Sequence, residues 1–344
     1  MKIDHVSHSS LSALKVSPLF FQKYLNRELD QDDNKSFTLG SAIHCYILEM
    51  EKFDSRYIVS SIQPIGGMMG KFLEAIVKNE KYVLESVHDS TEDTPEEFVL
   101  QNTDHLYQHC YDIAGFKTPI AGVINKLAAH KSYLDFLRSA QDKLVLSQDE
   151  MGIILNIATT VQAHTTASKL LNVSVLSGAE PEKEILWTHK GFNIKSIIDN
   201  LILDKESKTI TIVDLKTTAK SVYGFSKAYS AYGYYRQIAI YKMGAISYLE
   251  SLGEDPMEYD FKTYIVAVQT TGLFECVVYE PDSLDLSIAV DEFESLLDRL
   301  KWHQDHDHWA YPMEYYINDG IIKIKLNDES ISRIRESSEN NRPN

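Results

Sequence analysis

Between Glu182 and Lys216 the chain changes texture, and that change constrains the fold more than any other feature. Three apolar, β-branched stretches, 184–189, 192–203 and 208–216, are separated only by Lys190-Gly191 and by Asp204-Lys205-Glu206-Ser207. Breaks that short join neighbouring antiparallel strands. Two more strands are expected at 261–269 and 273–280. Helical periodicity flanks them, at about 225–252, closed by Gly253, and at 284–304. The pattern predicts an α/β protein with a central, mostly antiparallel or mixed sheet covered by helices.

The first half of the chain is helical in texture. Residues 9–26 read as two short helices, the first opened by Ser9 or Ser10, the second by Ser17 with Pro18 at its first position. From Phe37 to Met50 the sequence is apolar on most sides, as in a buried helix, with His44 in its middle. After a break at Pro64, Gly66, Gly67 and Gly70, helical segments are expected up to residue 80 and again at 101–114, 118–129 and 132–141. The acidic run at 86–97 reads as a solvated loop. Ser147, followed by Glu150, opens a long amphipathic helix over 146–171.

Charge bounds the function from outside. Fifty acidic against 34 basic residues leave a formal charge of −16, which argues against loose binding of nucleic acid over the whole surface. Lysines gathered in a cleft remain compatible with it. The three cysteines, Cys45, Cys110 and Cys276, are too far apart for a paired zinc or redox motif and are expected as small core residues. No run of about 18 apolar residues occurs, and a soluble, intracellular protein is expected.

Asp214 and Lys216 alternate onto one face of their strand, about 7 Å apart along it. Asp199 ends the preceding apolar run. If Leu203 pairs with Lys208, Asp199 faces Ile212 and lies diagonal to Asp214; a tighter turn sets the two aspartates directly opposite. Either register puts both carboxylates on one face. Two acids within about 5 Å call for a hard divalent cation, with magnesium the natural candidate, and Lys216 beside them can activate a water or offset charge on a phosphoryl transition state. Glu184 can add a third carboxylate. Gln237 and Tyr241, four apart, share one helix face and can position substrate.

These residues resemble the RecB-like branch of the PD-(D/E)xK nucleases, most closely the phage recombination exonucleases of the RecE type, which are exonuclease VIII-like. SSLSALKVSPLFFQKYL is similar to the paired N-terminal helices of that group. LGSAIHCYILEMEKFDSRYIV is similar to its glycine-to-histidine segment, with Gly40 and His44 as counterparts. Glu184 in EKEILW, Asp199 in KSIID, Asp214 and Lys216 in VDLKTT, and Gln237 and Tyr241 in YYRQIAIY follow its motifs in order. Ile198 and Ile197 depart from the proline and basic residue common before the first aspartate, and 61–145 shows no match.

The resemblance implies a restriction-endonuclease-like core in which His44, Asp199 and Asp214, with Glu184, surround Mg²⁺ (Mn²⁺ substituting) and Lys216 is the catalytic lysine. The chain is then expected to comprise N-terminal helices of the core at 1–60, a helical insertion at 61–145, the catalytic core at 146–330 and a polar tail at 331–344. The implied activity is 5′-to-3′ digestion of linear double-stranded DNA in phage-type recombination, in the cytoplasm of a bacterial host. Ring-forming homo-oligomers and a single-strand annealing protein come as implied partners. An endonuclease of the same fold and a non-catalytic DNA-end scaffold are the rival readings.

Overall fold

The computed structural model describes residues 3–29, 35–60, 62, 64–87, 106–140, 143–173 and 176–324. Most of the acidic 86–97 run, the start of the helix expected at 101 and the polar tail lie outside these residues. So does Ser174, the last residue of an Asn-Val-Ser triplet.

Two helices open the chain, α1 (His8–Val16) and α2 (Pro18–Leu25). The first cap is Ser7 rather than Ser9 or Ser10: Ser7 accepts from the Ser10 backbone N–H, and the Ser10 hydroxyl completes a reciprocal box. Ser17 caps α2, with Pro18 at its first position as read from sequence. Then come α3 (Lys35–Leu48), carrying His44, and α4 (Met50–Arg56).

A strand β1 (Tyr57–Val59) leads into α5 (Gly67–Val87), α6 (106–114), α7 (Ile120–Ile124) and α8 (Lys131–Ala140), and β2 (Leu144–Leu146) returns parallel to β1. These three-residue strands are too short to show an alternation in sequence, and they were not anticipated. Phe72, Leu73, Ile76, Tyr133, Leu134 and Leu137 give the helices between them a core of their own.

The long helix read over 146–171 is two, α9 (Gln148–Ala163) and α10 (Thr165–Leu171). His164 separates them because its Nδ1 accepts from the Thr166 and Ala167 N–H groups, which makes it an N-cap. Similarly, Gly233 at φ 66 divides the helix read over 225–252 into α11 (Phe225–Ala231) and α12 (Tyr234–Ser251).

The main sheet runs in the order β3 (Ala179–His189), β4 (Phe192–Asp204), β5 (Thr209–Thr218), β6 (Asp260–Gln269), β7 (Cys276–Tyr279). Every pairing is antiparallel except β5 with β6, so the sheet is mixed. One face packs on α1, α2, α12 and the long α13 (Ser283–His306) through Ile194, Ile212, Ile238 and Phe293. The other packs on α3, α9 and α10 through Ile43, Ile157, Val213 and Val266. No helix among the described residues is long and apolar enough to cross a membrane. Cys45 and Cys110 are buried free thiols and Cys276 is half-buried.

Gly244 lets α12 lie against β3 and β4. A Cβ there would stand 3.0 Å from the Trp187 indole nitrogen and 3.2 Å from the Ser196 hydroxyl, which are hydrogen-bonded to each other at 3.1 Å. Gly244→Leu is therefore expected to lower the unfolding free energy by roughly 1–3 kcal/mol through overpacking. Urea denaturation measures this, and an unchanged midpoint would show that the helix can move off the sheet freely.

Candidate metal and catalytic site

Pairing of β4 with β5 runs from Asp204 opposite Thr209 to Asn200 opposite Val213 and stops there. Continued one rung, it would set Asp199 across from Asp214, the tighter of the two registers considered. Instead the strands part, and the Asp199 Oδ2 accepts the Leu215 backbone N–H at 2.6 Å, in place of a ladder carbonyl. Beyond the gap β4 finds another neighbour: Val6 bridges to Ile194 in parallel, donating to the Asn193 carbonyl at 2.8 Å and accepting from the Lys195 N–H at 2.7 Å.

Strict alternation also fails at this rung. Ile194 and Ile198 pack into the core under α12, and so do Leu201 and Leu203, an odd step away. On the neighbouring strand Glu182 has φ 48, the left-handed region, between the regular pairs Pro181–Asn200 and Lys183–Ile198. Both strands thus bend where Glu182 meets Asp199. A non-glycine residue at such a φ costs of order 1 kcal/mol or more, and such strain gathers at functional sites.

The result is a compact group. One ligand atom each from His44, Glu182 and Asp199 lie within 4.8 Å of one another, and His44 Nδ1 is 3.6 Å from Asp199 Oδ2. Asp214 is fully buried, with Oδ1 2.7 Å from Lys216 Nζ and Oδ2 without a hydrogen-bond partner. Lys216 Nζ also lies 5.0 Å from the Tyr234 ring centroid, a favourable cation–π distance.

Electrostatics follow from burial and crowding. Desolvation raises the Asp199 carboxyl against the pull of Lys216 and the Leu215 N–H. Desolvation lifts Asp214 to about 6, with Lys216 opposing and Asp199 adding to the rise. Glu182 is pushed up to about 7 by desolvation and by Asp199 and Glu49. Lys216 would be depressed by its burial, but Asp214 and Asp199 outweigh that and hold it above the ordinary lysine value. Burial and the Lys216 ammonium lower His44 to about 4, so near neutral pH its imidazole is uncharged and has a lone pair to offer.

Of the residues singled out in the sequence, His44, Asp199, Asp214 and Lys216 come together. Gly40, one turn before His44, brings α3 close to the end of β5: a Cβ there would stand 3.3 Å from the Thr217 hydroxyl. Gln237 Nε2 donates to the Tyr241 hydroxyl at 2.7 Å; Tyr241 itself is buried in the core, and Gln237 reaches the cleft. Glu184 stands outside the group, paired with Lys195 at 2.6 Å. Glu182, two residues earlier and not singled out, is the acid that lies beside Asp199.

A cleft of about 1020 Å³ opens over these residues. Its one wall comes from α1, α2 and Tyr232–Tyr234, its other from α3 and α4, where buried Glu49 is held by Arg56 at 2.6 Å and by Lys52. This donor set fits a hard divalent cation: three carboxylates face one ammonium, a neutral imidazole completes an N/O set, and a buried carboxylate oxygen lacks a partner.

A mixed sheet flanked by helices, with an aspartate and an Asp-x-Lys pair where two strands part, defines the PD-(D/E)xK-like fold class. Over residues 7–315 the chain matches the family described as a PDDEXK-like domain of unknown function (DUF3799), and it belongs to that family. No curated protein is similar to it in sequence. Its structure is similar to that of a protein from Eubacterium rectale described as a "Putative exonuclease", with TM-score 0.50 and 12% identity, covering 96% of this chain and 93% of the other. At that identity the likeness establishes the fold. A second structure, SSO0001, aligns at TM-score 0.25 and 18% identity over 50% of this chain and 69% of its own, too weakly to carry an argument.

Glu182 gives the site a testable pH signature. A carboxyl raised in the folded state costs nothing below its unfolded value and its full penalty above its folded one. With Glu182 raised from 4.5 to about 7, metal-free stability falls as pH rises across that window. In chelator at alkaline pH, Glu182→Gln is expected to unfold roughly 2–4 °C higher than the wild type, and to gain less from added divalent cation. Equal melting temperatures, with an equal response to cation, would remove Glu182 from the site.

Proposed function

We propose that this chain is a metal-dependent deoxyribonuclease that hydrolyses phosphodiester bonds at the ends of linear double-stranded DNA, with Mg²⁺ as its metal and Mn²⁺ as a substitute. One observation carries the reading: Lys216 Nζ lies 2.7 Å from buried Asp214, next to the His44–Glu182–Asp199 group and under a single open cleft. Digestion from 5′ to 3′, a role in phage-type recombination in the bacterial cytoplasm, a ring-shaped homo-oligomer and a single-strand annealing partner extend the proposal. They rest on the sequence resemblance of the N-terminal helices and strand motifs. Membership of a PDDEXK-like family and the fold shared with the Eubacterium rectale protein support a nuclease.

His44, Glu182, Asp199 and the free oxygen of Asp214 would hold the metal. Such an ion supplies Lewis-acid charge at a phosphate oxygen and lowers the pKa of water. The protein's own groups do the rest. Leu215 fixes one oxygen of Asp199 and leaves the other to face the cleft. Lys216, held as an ammonium by its two aspartates, donates hydrogen bonds to the incoming water or to charge building on the phosphate. Gln237, anchored on the Tyr241 hydroxyl, lines the cleft where substrate would lie.

The test is release of label from each end of a linear duplex, with Mg²⁺ and without, beside closed circular DNA. Asp214→Ala and Lys216→Ala are each expected to reduce release at least about 100-fold, and the circle is expected to stay intact. Undiminished activity in either variant overturns the site; cutting of the circle makes the enzyme an endonuclease; absence of metal-dependent release from wild type overturns the nuclease reading.

A further inference from the structure

The two walls of the cleft differ in chemistry. On the α3–α4 side stand the Arg56–Glu49 ion pair and His44, a polar wall continuous with the catalytic floor. On the other side, Val16, Phe20 and Tyr24 line the cleft from the α1–α2 hairpin, with Tyr232 from the turn before α12. These four are 70%, 38%, 40% and 63% exposed. The hairpin and that turn are joined, since His8 Nε2 lies 3.1 Å from the Gly233 carbonyl.

Phe20 and Tyr24 are one helical turn apart and project side by side. At the other end an aromatic series leads inward: Tyr232 lies 5.7 Å from Tyr234, whose ring is 5.0 Å from the Lys216 ammonium. Folding gains nothing by leaving three aromatic rings and a valine in water beside an active site. Their exposure needs a ligand that has flat apolar faces on one side and charge on the other.

A paired duplex does not have that form, because its base faces are stacked on one another and its flanks show sugar and phosphate. An unpaired strand does: bases turn to one side and phosphates to the other. The match is in charge as well as shape, phosphates toward Arg56 and the cation-binding floor, bases toward the rings.

We propose that Val16, Phe20, Tyr24 and Tyr232 form a base-stacking platform, so that the nucleic acid seated in this cleft is an unpaired strand or a frayed end. The inference rests on the nuclease reading for its substrate class, and it assigns the α1–α2 hairpin a direct role in gripping that strand. A blunt duplex must then open its terminal pairs before its backbone reaches Lys216.

Binding tests this without turnover. Full-length Asp214→Asn protein is titrated into a short oligo-dT strand carrying 2-aminopurine, and into a blunt hairpin duplex of equal charge. Stacking is expected to quench the 2-aminopurine, and the single strand is expected to bind more tightly. Adding Phe20→Ala and Tyr24→Ala should weaken the single strand roughly 10-fold or more and abolish the quench, with duplex affinity moving less than about 2-fold. Phe20→Leu with Tyr24→Leu keeps apolar bulk without rings and should remain weak, whereas Phe20→Trp with Tyr24→Trp should restore binding and report intact folding. Equal losses on both ligands, or full quenching in the alanine protein, overturn the platform. If Asp214→Asn stacks the single strand but wild type releases no label from DNA, the platform stands and the nuclease reading falls. Release of label by wild type, with the alanine variant binding oligo-dT undiminished, does the reverse.

Discussion

A buried ammonium group shared between two aspartates is what makes the centre of this fold possible. Lys216 lies 2.7 Å from Asp214 and within the field of Asp199, and removing any of these charges from water unaccompanied costs several kcal/mol. The lysine matches only one acid. Asp199, Asp214 and Glu182 all have raised pKa values, the mark of carboxylates with too few positive neighbours. His44 does not make up the difference, because it is uncharged near neutral pH. The imbalance has the sign and the donor atoms that a hard divalent cation would satisfy.

Backbone distortion holds the acids in that state. A regular ladder would spend the Leu215 N–H on a strand carbonyl and keep Asp199 level with Asp214. Here the side chain takes that hydrogen bond, β4 turns away to Val6, and Glu182 adopts a left-handed φ. Each departure costs something alone. Together they open the sheet edge at the one point where acid, imidazole and lysine converge, and the two flanking cores on opposite faces hold it open.

How much of this could be read beforehand depends on which register was fixed by a turn. Asp214 and Lys216 were legible because strands alternate with period two, and His44 because its segment matched a pattern with Gly40. The β4–β5 loop left two registers open, since its four residues Lys205–Lys208 do not dictate one. The β3–β4 turn was stricter: Lys190 and Gly191 both have positive φ and His189 pairs with Phe192, as a two-residue hairpin demands. Counting back from that turn sets residue 182 against Asp199. Glu182 is therefore available from sequence by register, whereas Glu184 is favoured by its position in a motif. Splaying of β4 from β5 depends on tertiary packing and leaves no local signal, whereas the break at 233 is marked by the glycine itself.

Composition points away from nucleic acid, and the proposed site would reconcile the two. With a formal charge of −16, the surface as a whole repels a polyanion, so long-range attraction cannot supply the binding energy. On the proposed reading, what would remain is short-range: carboxylates that would hold a cation, an ammonium beside them, and aromatic faces that would take bases irrespective of sequence. The residues for all three line one cleft. On that reading an acidic exterior would act as a filter, since a strand that cannot enter the cleft would meet only repulsion, whereas one that enters would meet every attractive group together.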